Sequence, residues 1–301
     1  MCTTISFGKE RRLYGRNLDV EGSYGERLLL IPEDSGKRAV MGIGVQSDRG
    51  PLLFDGMNDA GLYVCALNFK ENGYLPPTRG EKSALHHDVL PYFLLSKCTS
   101  ASEAVALLEE KRVVTYDEVS PARLHWFISD RERSFAAEPC PHGLNILDNP
   151  AEVLTNDPPL PYQLFGLREL AGLKPYSPTE KGEPKPLGKG SGAIGLPGDL
   201  SSVSRFKRAY FLKQHLSAGG CQGLLNLLYT LSVPKGAVVS DEGEQFTLYS
   251  AVADPDSFAY IYRTADSACA VRCDGKMLLK RNTGPLSLPL RTLPPTEEAL
   301  L

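Results

Sequence analysis

The chain lacks any run of about eighteen apolar residues, which excludes a helix built to cross a bilayer. Lys9, Glu10, Arg11 and Arg12 interrupt the N-terminus before a signal-peptide core could form, so a cytoplasmic protein with no membrane partner is expected. An excess of one charge sign is missing too. The formal net charge is −3 and the lysines and arginines are scattered, so no basic field exists to attract nucleic acid. Cysteine is sparse and odd in number: Cys2, Cys65, Cys98, Cys140, Cys221, Cys269 and Cys273 show no Cys-x-x-Cys spacing, which argues against a disulfide framework or a zinc site. The six after Cys2 are expected to be buried thiols acting as small hydrophobes. The five histidines include adjacent His86 and His87 but no His-x-x-x-His pair, so neither a metal nor a cofactor is expected. Gly188-Lys189-Gly190-Ser191-Gly192 has some letters of a phosphate loop but lacks the preceding strand and the Gly-Lys-Ser/Thr spacing, and reads as flexible loop. No internal repeat is visible.

With 42% hydrophobic and 23% charged residues, the chain is expected to fold rather than remain disordered. Residues 2–7 are rich in β-formers, Gly8-Lys9-Glu10 reads as a turn, and a second strand is expected from about Arg11 to Asp19. A three-residue loop would set Phe7 opposite Arg11 and Cys2 opposite Arg16, with Asp19 just past the strand end. Further strands are expected at 38–46, 52–55, 62–69, 124–129, 133–138, 144–147 and 152–155, then at 245–253, 258–263 and 268–272. Helices are expected at 83–98, interrupted or kinked by Pro91, after a cap at Ser100 or Ser102, at 201–216, and at 223–231. The stretch 171–200, dense in Pro, Gly and Lys, is too long for an idle connection and is expected to be an ordered functional or assembly loop. The tail from 286, with its prolines, reads as a wrapping arm or loose segment. Strands, helices, strands, helices, strands in that order favour antiparallel sheets with segregated helix layers, an α+β fold in a single domain over 1–301.

Cys2 follows Met1 directly. If Met1 is removed, one residue carries both a thiol, near ~8.5 in free form, and an α-amine, near ~7.7–8.0, so the nucleophile brings its own base. Arg16 beside it would favour the thiolate, and Asp19 could accept a hydrogen bond from the amine. A carbonyl attacked by this thiol develops an oxyanion that needs preorganised donors. Asn68 and Asn156 both stand where an apolar strand leaves its sheet, and a buried amide there needs partners or a task. Arg205, in the first turn of the helix after Asp199-Leu200-Ser201-Ser202, could add positive charge; taken alone it reads as an exposed surface residue.

Met1-Cys2-Thr3, Gly15-Arg16-Asn17-Leu18-Asp19, Asp55-Gly56-Met57-Asn58, Leu67-Asn68-Phe69, Leu124-His125-Trp126, Val153-Leu154-Thr155-Asn156 and the twelve residues Gly195 to Phe206 together resemble the choloylglycine hydrolase family. Its members are N-terminal nucleophile hydrolases and include bile salt hydrolases and penicillin V acylases. The resemblance implies a four-layer αββα sandwich, an α+β fold with two antiparallel sheets between helix layers. It also implies Cys2 as nucleophile and base, support from Arg16 and Asp19, an oxyanion site at Asn68 and Asn156, and Arg205 nearby. Asn at the position of Asn68 is typical of bile salt hydrolases, whereas well-known penicillin V acylases carry Tyr there. The activity implied is amide hydrolysis of glycine- or taurine-conjugated bile acids without a cofactor, with the 171–200 segment resembling the assembly loop of tetrameric members. Two other activities fit the same residues: hydrolysis of penicillin V or another N-acyl amide, and transfer of the acyl group to an amine. A bile-acid-binding protein without turnover is expected if Met1 is retained.

Overall fold

The computed structural model describes residues 1–291 apart from 9, 78–83, 116–122, 142, 176–190, 217–218, 242 and 268. The chain opens with six strands, β1 (Cys2–Phe7), β2 (Leu13–Val20), β3 (Arg27–Ile31), β4 (Val40–Ser47), β5 (Gly50–Asn58) and β6 (Tyr63–Asn68). Next come β7 (Leu85–His86), α1 (Leu90–Lys97), α2 (Ala101–Glu109), β8 (Val113–Val114), β9 (Leu124–Ser129), β10 (Ser134–Cys140), β11 (Gly143–Asp148) and β12 (Val153–Leu154). The remainder is α3 (Leu160–Gly166), α4 (Ser202–His215), α5 (Gly220–Thr230), β13 (Val238–Ser240), β14 (Gly243–Asp254), β15 (Ala259–Thr264), β16 (Val271–Asp274), α6 (Gly275–Arg281) and β17 (Leu286–Pro289).

Two antiparallel sheets stack face to face. One has the order β12-β1-β2-β14-β15-β16 with β13 added to β14, and the other runs β11-β10-β9-β6-β5-β4-β3-β17. A small parallel pair, β7 with β8, stands apart. Helices α4 and α5 cover the outer face of the first sheet and α1 and α2 that of the second, which completes the expected αββα sandwich. Apolar side chains on both faces of the inner strands explain the layering: Met41, Ile43, Cys65 and Phe127 fill the space between the sheets, while Val64, Trp126 and Ile128 pack outward against Leu90 and Leu94 of α1. Strands buried on both faces read as continuous apolar runs, as β6 and β9 do.

Several expectations change. The β1–β2 loop is longer than a three-residue turn, so Phe7 pairs with Leu13 and Cys2 with Leu18, not Arg16; Asp19 lies inside β2. A slip of two residues keeps every side chain on its expected face, because the pleat repeats every two. Pro91 does not kink a helix: α1 begins at Leu90, and a proline in the first turn lacks only an N–H that would be unpaired there. Ser100 caps α2, accepting from Glu103 N, while Glu103 Oε2 accepts from Thr99. Of the six later cysteines only Cys65 and Cys98 are buried, and Cys269 is exposed. Residues 286–289 are no loose arm but β17, paired with β3. Strands β3, β8 and β13 and helices α3 and α6 have no counterpart among the expected elements, and residues 85–86, expected to be helical, form strand β7. Of the segment 171–200, residues 176–190 lie outside the described residues, as do 292–301 of the tail.

The edge strand β12, which delivers Asn156, is pinned by a partly buried charge cluster. Glu152 pairs with Arg12 and, at 2.5 Å, with Lys213 of α4. Burial raises the Glu152 pKa, but Lys213 and Arg12 outweigh it and hold the carboxyl below its usual range. Its contribution is therefore complete above the ordinary carboxylate pKa and is lost as pH falls through the lowered folded-state value. Glu152→Gln is expected to cost roughly 1–3 kcal/mol near neutral pH. The melting-temperature gap between variant and parent should close progressively as pH falls through the acid range; a constant gap would assign the loss to packing.

Candidate active site

The alternation of β2 sorts the site into two faces. Arg16, Leu18 and Val20 point between the sheets, whereas Asn17 and Asp19 point to the helix layer. Asn17 Nδ2 accordingly donates to Leu228 O of α5 at 2.8 Å, and Asp19 meets Arg205 of α4. Cys2 pairs with Leu18 and shares its face, so its sulfur looks into the space between the sheets. There Arg16 Nη2 lies 3.6 Å from Cys2 Sγ.

Arg16 is held from the far sheet. Its Nη1 donates to Phe54 O at 2.7 Å, to Ala66 O at 2.8 Å and to Cys65 Sγ, and its Nε stands 3.6 Å from Asp55 Oδ2. The two Asp55 oxygens accept from Tyr249 at 2.6 Å and Tyr260 at 2.9 Å. Burial works against the Arg16 charge, yet the acidic groups around it, Cys65 first and Asp55 with them, raise its pKa above the ordinary arginine value. Burial pushes the Cys65 thiol up to about 12, against the pull of Arg16, so Cys65 stays a neutral thiol at physiological pH.

Asn156 receives the other side of Cys2. Cys2 N donates to Asn156 Oδ1 at 2.8 Å; with Met1 attached this atom is an amide nitrogen, standing where the α-amine would be after removal of Met1. Arg205 Nη2 donates to the same oxygen at 2.8 Å, and Asn156 Nδ2 donates to Asn68 O at 2.7 Å. One of the two amide protons of Asn156 is thus engaged, which leaves a second to donate. Every backbone polar atom of Asn156 is fixed: its N donates to Ser202 Oγ at 2.9 Å and its O accepts from Gln163 Nε2 at 2.6 Å. His125, stacked on Phe69 at 4.2 Å, donates from Nε2 to Thr155 O at 2.9 Å and steadies the same turn.

Arg205 is completely buried, contrary to the surface reading of the residue alone. Its Nη1 donates to Cys2 O and Thr3 Oγ1, each at 2.5 Å, and lies 3.7 Å from Asp19 Oδ2. Asp19 Oδ1 accepts from Thr247 Oγ1 at 2.6 Å. The Asp19 carboxylate therefore reaches Cys2 through Arg205 rather than directly, and Met1 N instead donates to the Asp19 main-chain carbonyl at 2.6 Å and to Gln245 Oε1 at 2.9 Å.

The other five expected residues gather around Cys2, Asp19 through Arg205. Sequence reasoning missed Asp55, Tyr249, Tyr260, Thr247 and Gln163 as supports. Asp55 lay in a quoted motif without a role, and the others are single polar residues in strands or helices with no spacing to mark them. One cavity opens on the thiol and a second lies on the Met1 side of it. The first, about 300 Å³, is mainly apolar, with Leu18, Val20, Tyr24, Phe54, Ala66 and Leu124 on its walls and Cys2, Arg16 and Asn68 at the reactive end. The second, about 240 Å³, has Met1, Asn68, Asn156 and Gln245 on its walls. Among the described residues no group of three His, Cys, Asp or Glu is placed to hold a metal, and no helix is long and apolar enough to cross a membrane.

A buried thiol between two amides and two arginines is equipped for acyl transfer at a carbonyl. The family model for linear amide C–N hydrolases of the choloylglycine hydrolase family matches residues 2–274. A bile salt hydrolase/transferase of Lactiplantibacillus plantarum is 32% identical over 295 residues, 89% of this chain and 90% of that protein. Among solved structures, a variant of the conjugated bile acid hydrolase from Clostridium perfringens superposes with a TM-score of 0.89 at 24% identity, covering 99% of this chain and 100% of that one. A penicillin V acylase from Agrobacterium tumefaciens shares the fold with a TM-score of 0.74 at 22% identity, over 91% and 86% of the two chains. The chain belongs to the choloylglycine hydrolase family and is a linear amide C–N hydrolase.

Proposed function

We propose that the enzyme cleaves the amide bond of glycine- or taurine-conjugated bile acids, with Cys2 as nucleophile after loss of Met1. The observation that carries this reading is the thiol at the floor of an apolar cavity of about 300 Å³, a wall chemistry suited to a steroid acyl group. The likeness in sequence to a bile salt hydrolase/transferase supports it, as does asparagine rather than tyrosine at position 68.

In this mechanism the α-amine of Cys2, oriented by Asn156 Oδ1, takes the thiol proton, and the sulfur attacks the amide carbon. Arg16 faces the sulfur at 3.6 Å and opposes the negative charge carried into the attack. The oxyanion is held by the second amide proton of Asn156 and the side chain of Asn68. Arg205 fixes Asn156 and the Cys2 carbonyl while Asp19 balances its charge. The protonated amine then passes its proton to the departing nitrogen, and water resolves the thioester. No metal or cofactor enters. The protein is further proposed to be cytoplasmic and to assemble as a homotetramer, on the resemblance of segment 171–200 to an assembly loop; sedimentation of the purified protein checks the tetramer.

Steady-state turnover of glycocholate, taurocholate and penicillin V tests the substrate assignment. Efficient hydrolysis of the bile acid conjugates with weak turnover of penicillin V is expected, and a strong preference for penicillin V would overturn it. Intact mass should show Met1 absent from active protein. A preparation that keeps Met1 has a blocked amine and is expected to bind conjugate without turning it over.

A further inference from the structure

We propose that a cavity at the open edge of the sandwich, remote from Cys2, binds an amphipathic anion: an apolar body ending in one carboxylate or sulfonate. Strand β16 ends the first sheet and β17 the second, and a cavity of about 440 Å³ is walled by both of them and by helix α6. That is the size of a small-molecule site. Strand alternation gives it an apolar floor. Tyr262 and Val271 are partners across β15 and β16, and Cys273, two residues on, shares their face; Leu278 of α6 and Leu288 of β17 complete the lining. No wall residue is shared with the cavity that opens on Cys2. Strands β2, β14 and β15 stand between β1 and β16, which sets those two roughly 19 Å apart at ordinary strand spacing. Occupancy of this cavity is therefore independent of the chemistry at Cys2.

Two arginines supply the charge. On α6, Arg281 follows Leu278 and Met277 by three and four residues, so the three share the face that lines the cavity. Arg291 follows β17, and its main-chain N donates to Tyr262 Oη at 2.9 Å, which fixes the chain beside the cavity floor. Burial raises the Cys273 thiol pKa and the Arg291 charge opposes that rise, so this guanidinium acts over the floor. Both arginines are exposed, and neither guanidinium has a carboxylate partner among the described residues. The other charged groups on the wall have partners of their own: Arg272 donates to Ser257 Oγ at 3.2 Å, and Asp274 Oδ1 accepts from Met277 N at 2.9 Å as the cap of α6. Cations beside an apolar floor are matched by a molecule with an apolar body and one anionic end. Its carboxylate or sulfonate meets the planar guanidinium forks, and its body covers the apolar walls. Bile acids and long-chain fatty acids are two sources of such an anion.

The thiol on the wall reports occupancy. Cys273 and Cys269 are both free, and of the two only Cys273 lines the cavity. Maleimide labelling of the full chain, read at each cysteine by peptide mass, is followed with cholate, with laurate, with uncharged cholamide and with inorganic phosphate. Cholate, laurate or both are expected to slow labelling of Cys273, by roughly tenfold once about nine-tenths of the sites are filled, with Cys269 unaffected; the tighter of the two identifies the source. Cholamide and phosphate should give no protection. Arg281→Glu with Arg291→Glu should raise the concentration needed for protection by roughly tenfold or more, the scale of two reversed ion pairs, and Arg281→Gln with Arg291→Gln should raise it less. Both positions are exposed, so a thermal melt should match the parent, and turnover at Cys2 should be unchanged. No protection by either anion, equal protection by cholamide or phosphate, or protection that survives charge reversal would overturn the site. Labelling of Cys273 that slows as protein concentration rises, with no anion added, would seat a second copy of the chain there and overturn it as well.

Discussion

Replacing Cys2 with serine is expected to lower turnover of a conjugated bile acid by roughly a thousandfold or more, with the melting temperature nearly unchanged. The change swaps one small buried side chain for another, 2% exposed in the parent, so packing is hardly disturbed. What is lost is reactivity. A serine hydroxyl is far less ionised than a thiol near neutral pH, and an α-amine is a weak base for it. The arginine at 3.6 Å would then face a neutral oxygen and contribute little. Comparable activity in the variant would mean that another residue attacks the carbonyl. Because both cavities and the amide donors persist, the serine variant should still bind conjugate, which separates loss of chemistry from loss of the site.

Arg205→Leu is expected to remove activity and to destabilise the fold by about 3–5 kcal/mol, the cost of leaving a buried charge without its partner. Arg205 and Asp19 are both completely buried, and Asp19 would keep only its hydrogen bond from Thr247. Asn156 Oδ1 and the Cys2 carbonyl would lose a donor at the same time. On the scale of a domain this size, the melting temperature should fall by roughly 5–15 °C. Adding Asp19→Asn removes the stranded charge and should recover much of that stability without recovering turnover. Thermal melts and assays on the two variants decide between this and a purely structural role: activity that returns together with stability would show that Arg205 only holds the fold.

How far the site could be read from the residues depended on how each one is held. Cys2 and Arg16 are neighbours along one hairpin, so strand alternation puts their side chains on one face even though the β1–β2 loop is longer than three residues; the two-residue shift preserves parity, and one residue would have turned Arg16 away from the sulfur, while Asp19, on the opposite face, reaches Cys2 only through Arg205. Asn156 and Arg205 were recognisable from long motifs, but that one amide oxygen would bind both Cys2 N and Arg205 has no linear signal. Asp55, Tyr249 and Tyr260 join strands of opposite sheets, a contact set by stacking of the layers and invisible to periodicity. Strand β3 carries little signal of its own, because Arg27 to Ile31 is a short apolar run that periodicity assigns to neither helix nor strand. Helix α3 starts with prolines on either side of Leu160, which mask a helix start although the first turn tolerates them.

The central claim is that the thiol of Cys2, freed of Met1, carries the acyl group. Intact-mass analysis of enzyme quenched in acid during turnover of a glycine-conjugated bile acid tests it directly, followed by peptide mapping of the modified species. The expected result is a chain without Met1 that is heavier by one bile acyl group, bound at Cys2 as a thioester and released by hydroxylamine. Active enzyme that retains Met1, or an acyl group mapped to any other residue, would contradict it.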